Sequence, residues 1–280
     1  MKTIRQDAIG KNTLRLVDTG EGIVGLLIAG GKQLGRIDGN DAAEVWAQLR
    51  AAVGKASDAY FGFDGARARF LQFFPDGFRS PAFEGDERGS YGERGYKLRA
   101  KSKLDAAAPL DQALTGTGYG EAVLSAYRAT NLLSPFEKTR LDPVLRGPDA
   151  DGFIQAAAAF AMGDMAPALD RMERILAKHN NAKWTVVTYL PFLWRPDEHM
   201  FLKPVVTQDF AERVGHPFVH DYTPALEPEV YASLLDLMAV TKAELADLQP
   251  RDNIDLQSFV WTVGEYKDGD EVLVDPANPH

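Results

Sequence analysis

Apolar residues occur in short runs near the start of the chain, and glycine-containing turns separate these runs. The runs are NTLRLVD, GIVGLLIAG and KQLGRIDG, within residues 12–39. Short apolar runs between such turns favour antiparallel hairpins. The next segment, NDAAEVWAQLRAAVGK, places Val45, Trp46 and Leu49 on one helical face. The pattern therefore predicts a β-β-β-α module over residues 1–58, with three strands and one helix.

From about residue 104 onward, the apolar positions repeat with helical spacing. The clearest case is PEVYASLLDLMAVTKAELADL, which begins with Pro228 in its first turn and carries Val230 and Leu234 along one face. Another segment, TVVTYLPFLW, fits a buried strand or a short helix equally well. We therefore expect an α+β fold: a small N-terminal antiparallel sheet with one helix, a mainly helical body over 59–266, and a polar tail over 267–280.

Composition narrows the classes of function. The 280 residues include 31 Lys and Arg against 40 Asp and Glu, a net charge of −9. This balance argues against broad binding to DNA or to acidic membranes, while a local basic patch stays compatible with it. The absence of cysteine excludes disulfides and cysteine metal sites. No apolar run approaches the roughly 18 residues of a membrane span, and the N-terminus lacks a signal-peptide stretch, so we expect a cytoplasmic protein with no membrane partner.

One basic segment stands out against this acidic average. It lies between residues 88 and 103 and contains six basic residues and one acid, Glu93. The basic residues are Arg88, Arg94, Lys97, Arg99, Lys101 and Lys103. The aromatic stretch RARFLQFFPDGF precedes it, and grooves that combine basic and aromatic side chains are typical of nucleic-acid binding. Because Phe70, Phe73 and Phe74 have the spacing of a core-facing helix, we assign most of these rings to the core. The basic stretch is then either a solvated helix face or a polyanion contact.

The first functional hypothesis is a non-enzymatic binding or accessory protein that contacts DNA or RNA. The contacting residues would be Arg94, Lys97, Arg99, Lys101 and Lys103. Under this hypothesis the affinity falls steeply with salt. Replacing Lys97, Arg99 and Lys101 with alanine would weaken binding and leave the melting temperature nearly unchanged.

The second hypothesis is an enzyme of unspecified reaction, with a site between the sheet module and the helical body. The pocket residues are His199, Lys203, Arg251 and Asp252. The segment PRDNIDLQSFVW is either a polar network that supports a ligand-binding face or ordinary helix capping with aromatic packing. A third hypothesis is a scaffold whose acidic helical surface binds a protein partner, and an exposed apolar patch would favour it.

No motif predicts a cofactor or a bound metal. The glycines of GTGYG follow a segment that is not a strand, and no Gly-Lys-Ser/Thr comes after them, so a helix connection is favoured over a phosphate loop. The segment HPFVHD has a His-x3-His spacing, but Pro217 forbids an ordinary helix interior between His216 and His220. We favour a polar loop there over a metal site. Ser134, directly before Pro135, predicts a helix N-cap.

Several longer motifs carry a resemblance. The segments FDGARARFLQFFPDGF, NLLSPFEKTRL, KWTVVTYLPFLWRPDEHMFLKPVVTQDFAERVG and PRDNIDLQSFVWTVG resemble an uncharacterised bacterial family over about residues 60–265. The part from FLWRPDEHMFLKP to QSFVW is also similar to helical regions of proteins of modification-dependent restriction and phage defence. This resemblance implies a DNA-associated role, in DNA processing or defence, and names no catalytic residue.

Overall fold

The N-terminal part of the protein is a four-stranded antiparallel sheet. The computed structural model describes residues 2–9, 12–20, 22–29, 32–56, 60–85 and 92–267. The strands, in spatial order, are β1 (Lys2–Ile9), β2 (Asn12–Asp18), β3 (Ile23–Ala29) and β4 (Lys32–Gly39). Helices follow the sheet along the rest of the described chain, which confirms the expected α+β class with a mostly helical body.

The prediction of three strands is wrong by one, because β1 was not recognised. Its sequence, KTIRQDAI, contains no apolar run, and residues 2–6 are exposed. β1 pairs with β2 at the edge of the sheet, where polar side chains stay in water. A search for apolar runs therefore passes over a strand of this kind.

Helix α1 (Ala42–Ala56) covers one face of the sheet and closes a small core. The buried members of this core are Leu14, Leu16, Leu27, Val45, Trp46, Leu49 and Phe61. A Cβ atom on Gly25 would lie 3.1 Å from the side chains of Val45 and Leu49, so glycine allows α1 to approach the sheet closely. Phe61 lies just before the next helix, and it connects this small core to the helical body.

The helical body holds the larger core. Its helices are α2 (Gly62–Phe73), α3 (Pro81–Glu84), α4 (Gly95–Ala107), α5 (Leu110–Ala113), α6 (Gly120–Arg128), α7 (Pro135–Leu145), α8 (Ala150–Ala161), α9 (Met165–Ala177), α10 (Trp184–Trp194), α11 (Pro204–Val214), α12 (Phe218–Asp221), α13 (Pro228–Glu244) and α14 (Asn253–Glu265). Short 3₁₀ turns occur at Gly77–Arg79 and Ala246–Leu248. The segment that fitted a strand or a helix is α10, and all its residues are buried. Burial on every side removes the periodicity that separates the two alternatives.

The aromatic stretch before the basic segment lies in the core, as its spacing predicted. Phe70, Phe74 and Phe78 are fully buried, and the rings of Phe70 and Phe78 lie 4.9 Å apart. Phe73 lies at the edge of this cluster, 5.2 Å from the ring of Tyr266. These rings hold α2 against α14 rather than facing a ligand.

Local signals fix the start of α7. Ser134 is its N-cap, and a reciprocal capping box links the Ser134 and Glu137 side chains to each other's backbone N–H groups, as the Ser-Pro motif predicted in part.

The predicted module boundary at residue 58 lies outside the described residues, and so does the predicted polar tail from residue 268 onward. Within the described part of the chain, no helix has both the length and the apolar character needed to cross a membrane.

Candidate anion-binding groove

Two residues of the basic segment, Arg94 and Lys97, are buried at the start of α14, where Arg94 belongs to an ion network. The guanidinium of Arg94 donates to both carboxylate oxygens of Asp252, at 2.7 and 2.6 Å, and to Asp255 at 2.8 Å. Arg94 is 7 % exposed and Asp255 is fully buried. Burial by itself would raise the pKa of Asp252, but the hydrogen bond and charge of Arg94 outweigh burial and hold that pKa below its ordinary value. Arg94 is therefore occupied inside the protein.

Arg251 completes this network from the other side. Its side chain donates to Asp255 at 2.9 Å and to the carbonyl oxygen of Phe78 at 3.0 Å, and it pairs with Glu84 at 2.5 Å. Asp252 also caps α14, since its carboxylate accepts from the backbone N–H of Ile254 at 2.9 Å. The predicted pocket residues Arg251 and Asp252 therefore belong to one network, in which Asp255 and Arg94 connect them. Neither residue lines one of the two cavities described below.

Lys97 is fully buried beside this network. Its ammonium donates to Ser258 Oγ at 2.7 Å and to Glu93 at 3.1 Å. Burial lowers the pKa of Lys97, and Glu93 opposes this effect. A lysine against a serine hydroxyl is also the arrangement that activates a nucleophile. Ser258 is fully buried here and donates to the carbonyl oxygen of Ile254, so no substrate reaches it.

The other basic residues of the segment differ in exposure. Lys101 is half-buried, donating to the carbonyl oxygen of Trp194 at 2.9 Å and pairing with Asp105 at 2.9 Å. Arg99 is half-buried and Lys103 is exposed. Arg88 lies outside the described residues. The structure therefore leaves only Lys103 fully at the surface among the five predicted contact residues.

The side chain of His199 is buried in the core of the helical body. Its Nε2 lies 3.1 Å from the carbonyl oxygen of Ala161, and its Nδ1 lies 3.4 Å from the hydroxyl of Tyr231. Burial lowers the pKa of His199, so the ring is a neutral structural group near pH 7. Of the four predicted pocket residues, only Lys203 lines a cavity of the groove described next.

Lys203 lies in an open groove where two cavities adjoin. The larger cavity, of about 500 Å³, is lined by Lys138 and Lys203, and the smaller, of about 200 Å³, by Lys183. Glu137 and Thr185 line both cavities. We call this surface, defined by Ser134, Glu137, Lys138, Lys183, Thr185 and Lys203, the lysine groove.

The first turns of three helices meet at the lysine groove. Ser134, Lys183 and Lys203 are the N-caps of α7, α10 and α11, and each of these helices has 11 residues. Backbone N–H groups at a helix start carry partial positive charge. Lys183 and Lys203 make no side-chain cap to their own helices. The groove therefore combines three ammonium groups with three positive helix ends.

Glu137 is the one acidic residue among those that line the two described cavities, and its carboxylate is fully engaged. It accepts from Thr185 Oγ1 at 2.6 Å and from the Ser134 N–H at 2.8 Å, and Lys183 Nζ lies 3.7 Å away. Burial opposes ionisation of Glu137, but the hydrogen bonds from Thr185 and Ser134 hold its pKa below the ordinary value. The carboxylate fixes the groove wall and offsets only part of the positive charge.

The three lysines are held differently. Lys203 Nζ lies 3.8 Å from the ring centroid of Trp261, and burial lowers its pKa. Lys138 donates to the carbonyl oxygen of Thr130, and burial lowers its pKa too. The side chain of Lys183 is 45 % exposed. An ammonium has three donors, so each lysine keeps donors for a ligand.

The two histidines of HPFVHD have different surroundings. His216 Nε2 lies 3.1 Å from Asp236, and His216 Nδ1 accepts from the N–H of Phe218 at 3.1 Å. His220 lies on the short helix α12 and is exposed. Among the described residues, no group of three or more His, Asp or Glu side chains is arranged to hold a metal ion.

Comparisons with known proteins give no relative for this chain. The chain matches no family model, and no significant match was found among curated proteins or among solved structures. The resemblance to a bacterial family and to restriction and phage-defence proteins therefore stays a prediction.

Sequence reasoning missed Lys138 and Lys183. Both lie in quoted motifs, NLLSPFEKTRL and KWTVVTYL, which were interpreted for capping, for secondary structure and for a family resemblance, and not for their lysines. For Lys183, the available signal was a lysine at the residue directly before a helix, where Ser, Thr, Asp or Asn is usual. It becomes visible only once the start of α10 is known.

Proposed function

We propose that the protein is a non-enzymatic binding protein that holds a phosphate-bearing ligand, a nucleic acid, in the lysine groove. The observation that carries this proposal is the meeting of Lys138, Lys183 and Lys203 with three helix N-termini in one open groove. Oriented N–H groups and ammonium groups together favour phosphate oxygens.

The placement of two lysines supports a ligand over a purely structural role. A cation at a helix N-terminus opposes the helix dipole, by roughly 0.3–1 kcal/mol for each helix. Lys183 and Lys203 both occupy such positions, and neither caps its helix. Residues that break a local stability rule are expected at functional sites. A bound anion would turn both unfavourable contacts into favourable ones.

The groove is better suited to binding than to acid-base chemistry. Its one lining carboxylate, Glu137, is engaged by Ser134 and Thr185. General acid-base catalysis needs a group that is free to exchange a proton with substrate. The described groove offers instead a set of fixed donors, which position an anionic chain.

The test is a binding titration with a matched charge control. Fluorescence anisotropy would follow labelled DNA and RNA strands with the native chain and with the triple variant Lys138→Gln, Lys183→Gln and Lys203→Gln. The control removes three exposed lysines that line neither cavity and lie outside the basic segment, Lys2, Lys178 and Lys242, by the same change to glutamine. Both variants change the net charge equally.

We expect the groove variant to lose most of the affinity and the control to keep most of it. If three phosphates are neutralised, the slope of log K against log salt becomes shallower by about 2 for a single strand. Because Lys138 and Lys203 are half-buried, the exposed Lys183→Gln is measured alone as well, with melting temperatures recorded. Absence of binding at low salt, or equal losses in both triple variants, would refute the proposal.

A further inference from the structure

The smaller cavity of the lysine groove differs from the larger one in its lining. Tyr222, Pro204 and Pro224 line the smaller cavity, and Lys183 lines it as well. The larger cavity holds the other two groove lysines, and no aromatic residue is among those that line it. Tyr222 is the one half-buried aromatic residue in the two described linings, since Trp184 at the smaller cavity is buried. The groove therefore has a cationic part and, adjoining it, a part lined by flat apolar groups.

Hydrogen bonds hold the wall that carries Tyr222 in place. The N–H of Tyr222 donates to the carbonyl oxygen of Phe218 at 3.0 Å, and the two rings lie 6.0 Å apart. The indole N–H of Trp184 donates to the carbonyl oxygen of Thr223 at 3.0 Å, which ties this wall to the first turn of α10. Because the wall is ordered before a ligand arrives, little conformational entropy is lost when a flat group packs against it.

The two cavities also differ in size. The smaller one, of about 200 Å³, is below the roughly 300–1,000 Å³ of pockets that enclose a drug-sized ligand, whereas the larger one has about 500 Å³. The smaller cavity is therefore suited to one flat ring rather than to a whole chain of nucleotides. Because Glu137 and Thr185 line both cavities, a ring in the smaller one remains next to the lysines of the larger one.

We infer that the lysine groove takes a single-stranded nucleic acid, and that one of its bases enters the smaller cavity against Tyr222. This inference rests on the proposed function, and it names the class of nucleic acid. Single-strand sites combine a positive track for the backbone with aromatic side chains on which bases stack. Bases of a single strand can be splayed out into such a cavity, whereas those of a duplex are paired and stacked on each other.

The charge at the smaller cavity suits a base that is attached to a phosphate. Burial raises the pKa of Tyr222, so its phenol is neutral near pH 7 and does not repel a phosphate. Lys183, which lines the same cavity, has a side chain that is 45 % exposed and can meet the adjoining phosphate. Inorganic phosphate would use the lysines and leave the apolar cavity unfilled, whereas a strand with bases uses both.

The experiment separates base contacts from phosphate contacts. Three labelled ligands of equal length are titrated: an oligothymidylate, a strand of the same backbone without bases, and a duplex. The proteins are the native chain, Tyr222→Leu, Tyr222→Phe and the control Tyr119→Leu. Tyr119 is also a half-buried tyrosine, and it lines neither cavity. Melting temperatures are recorded for all four proteins.

We expect Tyr222→Leu to weaken oligothymidylate binding about tenfold, within the range measured for the loss of one stacked base. Tyr222→Phe keeps the ring and should keep most of the affinity, and Tyr119→Leu should bind as the native chain does. The base-free strand should bind more weakly than oligothymidylate and should be unaffected by Tyr222→Leu. The duplex should also bind more weakly than oligothymidylate.

The comparison of the three ligands on the native chain needs no variant, so it tests the inference even if Tyr222→Leu lowers the melting temperature. If the base-free strand or the duplex binds as tightly as oligothymidylate, and the groove lysines still control binding, the base-pocket inference is wrong and the proposed function stands. If none of the three ligands binds at low salt, both are wrong.

Discussion

Two clusters of charged side chains lie at helix N-termini in this protein, and they are built in opposite ways. At the start of α14, Asp252 and Asp255 take the positions that the helix dipole favours, and Arg94 neutralises them inside the protein. At the lysine groove, Lys183 and Lys203 take positions that the dipole disfavours, and both remain accessible.

The difference separates charges that hold the fold from charges that are available to a ligand. A buried charge is tolerated only when it is paired and hydrogen-bonded, so each member of the α14 network has its partner within the chain. An open groove imposes no such requirement, and its excess of positive charge can persist in water. Substitutions in the first cluster should therefore change stability, and those in the second should change binding.

The largest expected effect comes from Asp255→Ala. This substitution leaves Arg94 buried with one carboxylate fewer and removes the main partner of Arg251. Breaking a buried pair in this way costs about 3–5 kcal/mol of the free energy of unfolding. Urea denaturation would measure it, with Asp38→Ala in the exposed pair with Arg36 as the control. A loss no larger than that of the control would show that the network is not needed for the fold.

Next comes Lys97→Ala, compared with Lys103→Ala on the same helix. Lys97 is fully buried with partners Ser258 and Glu93. Its loss leaves a cavity and removes the cation beside Glu93, which keeps the hydrogen bond from the Tyr266 hydroxyl, at a cost of about 2–4 kcal/mol. Lys103 is exposed, and its replacement should leave the melting temperature unchanged. The original expectation that Lys97 contributes to binding but not to stability would regain support if Lys97→Ala folded normally and bound nucleic acid poorly.

Acid should weaken the network selectively through Asp252. The pKa of this carboxyl is lowered in the folded protein, so its contribution to stability is complete above the ordinary aspartate value of about 4. That contribution is lost as the pH falls through the lowered, folded-state pKa. Unfolding free energies measured from pH 6 down to pH 2 should fall less steeply for Asp252→Asn than for the native chain. Parallel curves would contradict the assignment.

The smallest effect has the opposite sign. Lys183 has the extended backbone that is typical of an N-cap, with φ −139° and ψ 147°, but its side chain makes no hydrogen bond that caps the helix. Lys183→Ser should supply that cap and stabilise the protein by about 0.5–1 kcal/mol, while weakening the binding of nucleic acid. Lys183→Ala, which removes the charge without adding a cap, is the control. Destabilisation by Lys183→Ser would argue against an exchange of stability for binding at this position.

Much of the fold follows from local patterns, and the exceptions have clear causes. The hairpin strands β2 to β4, helix α1 and the long helix α13 match their periodicity, and Ser134 caps α7 as its motif indicates. β1 was missed because an edge strand needs no apolar run, and α10 was ambiguous because burial on all sides leaves no polar face.

The candidate site was far less accessible to sequence reasoning. Charge counting singled out Arg94 and Lys97, which are buried by distant partners. Asp252 lies 158 positions along the chain from Arg94, and Ser258 lies 161 positions from Lys97. A basic residue looks the same in a sequence whether a distant carboxylate neutralises it or not. Lys138 and Lys183 drew no attention because no neighbouring residue in the sequence marks either of them as part of a binding site.

The sequence by itself determined the acidic net charge, the absence of cysteine chemistry, the succession from sheet to helices and most helix faces, because these depend on composition and on neighbours within a few turns. Only the tertiary structure decided which charges are buried in pairs and which face solvent. That decision depends on packing between distant segments, since α4 meets α14 in the interior and the starts of α7, α10 and α11 meet at the surface. Desolvation makes pairing with a carboxylate obligatory at the start of α14, and it is weaker for the lysines of the groove, which are partly or largely exposed to solvent.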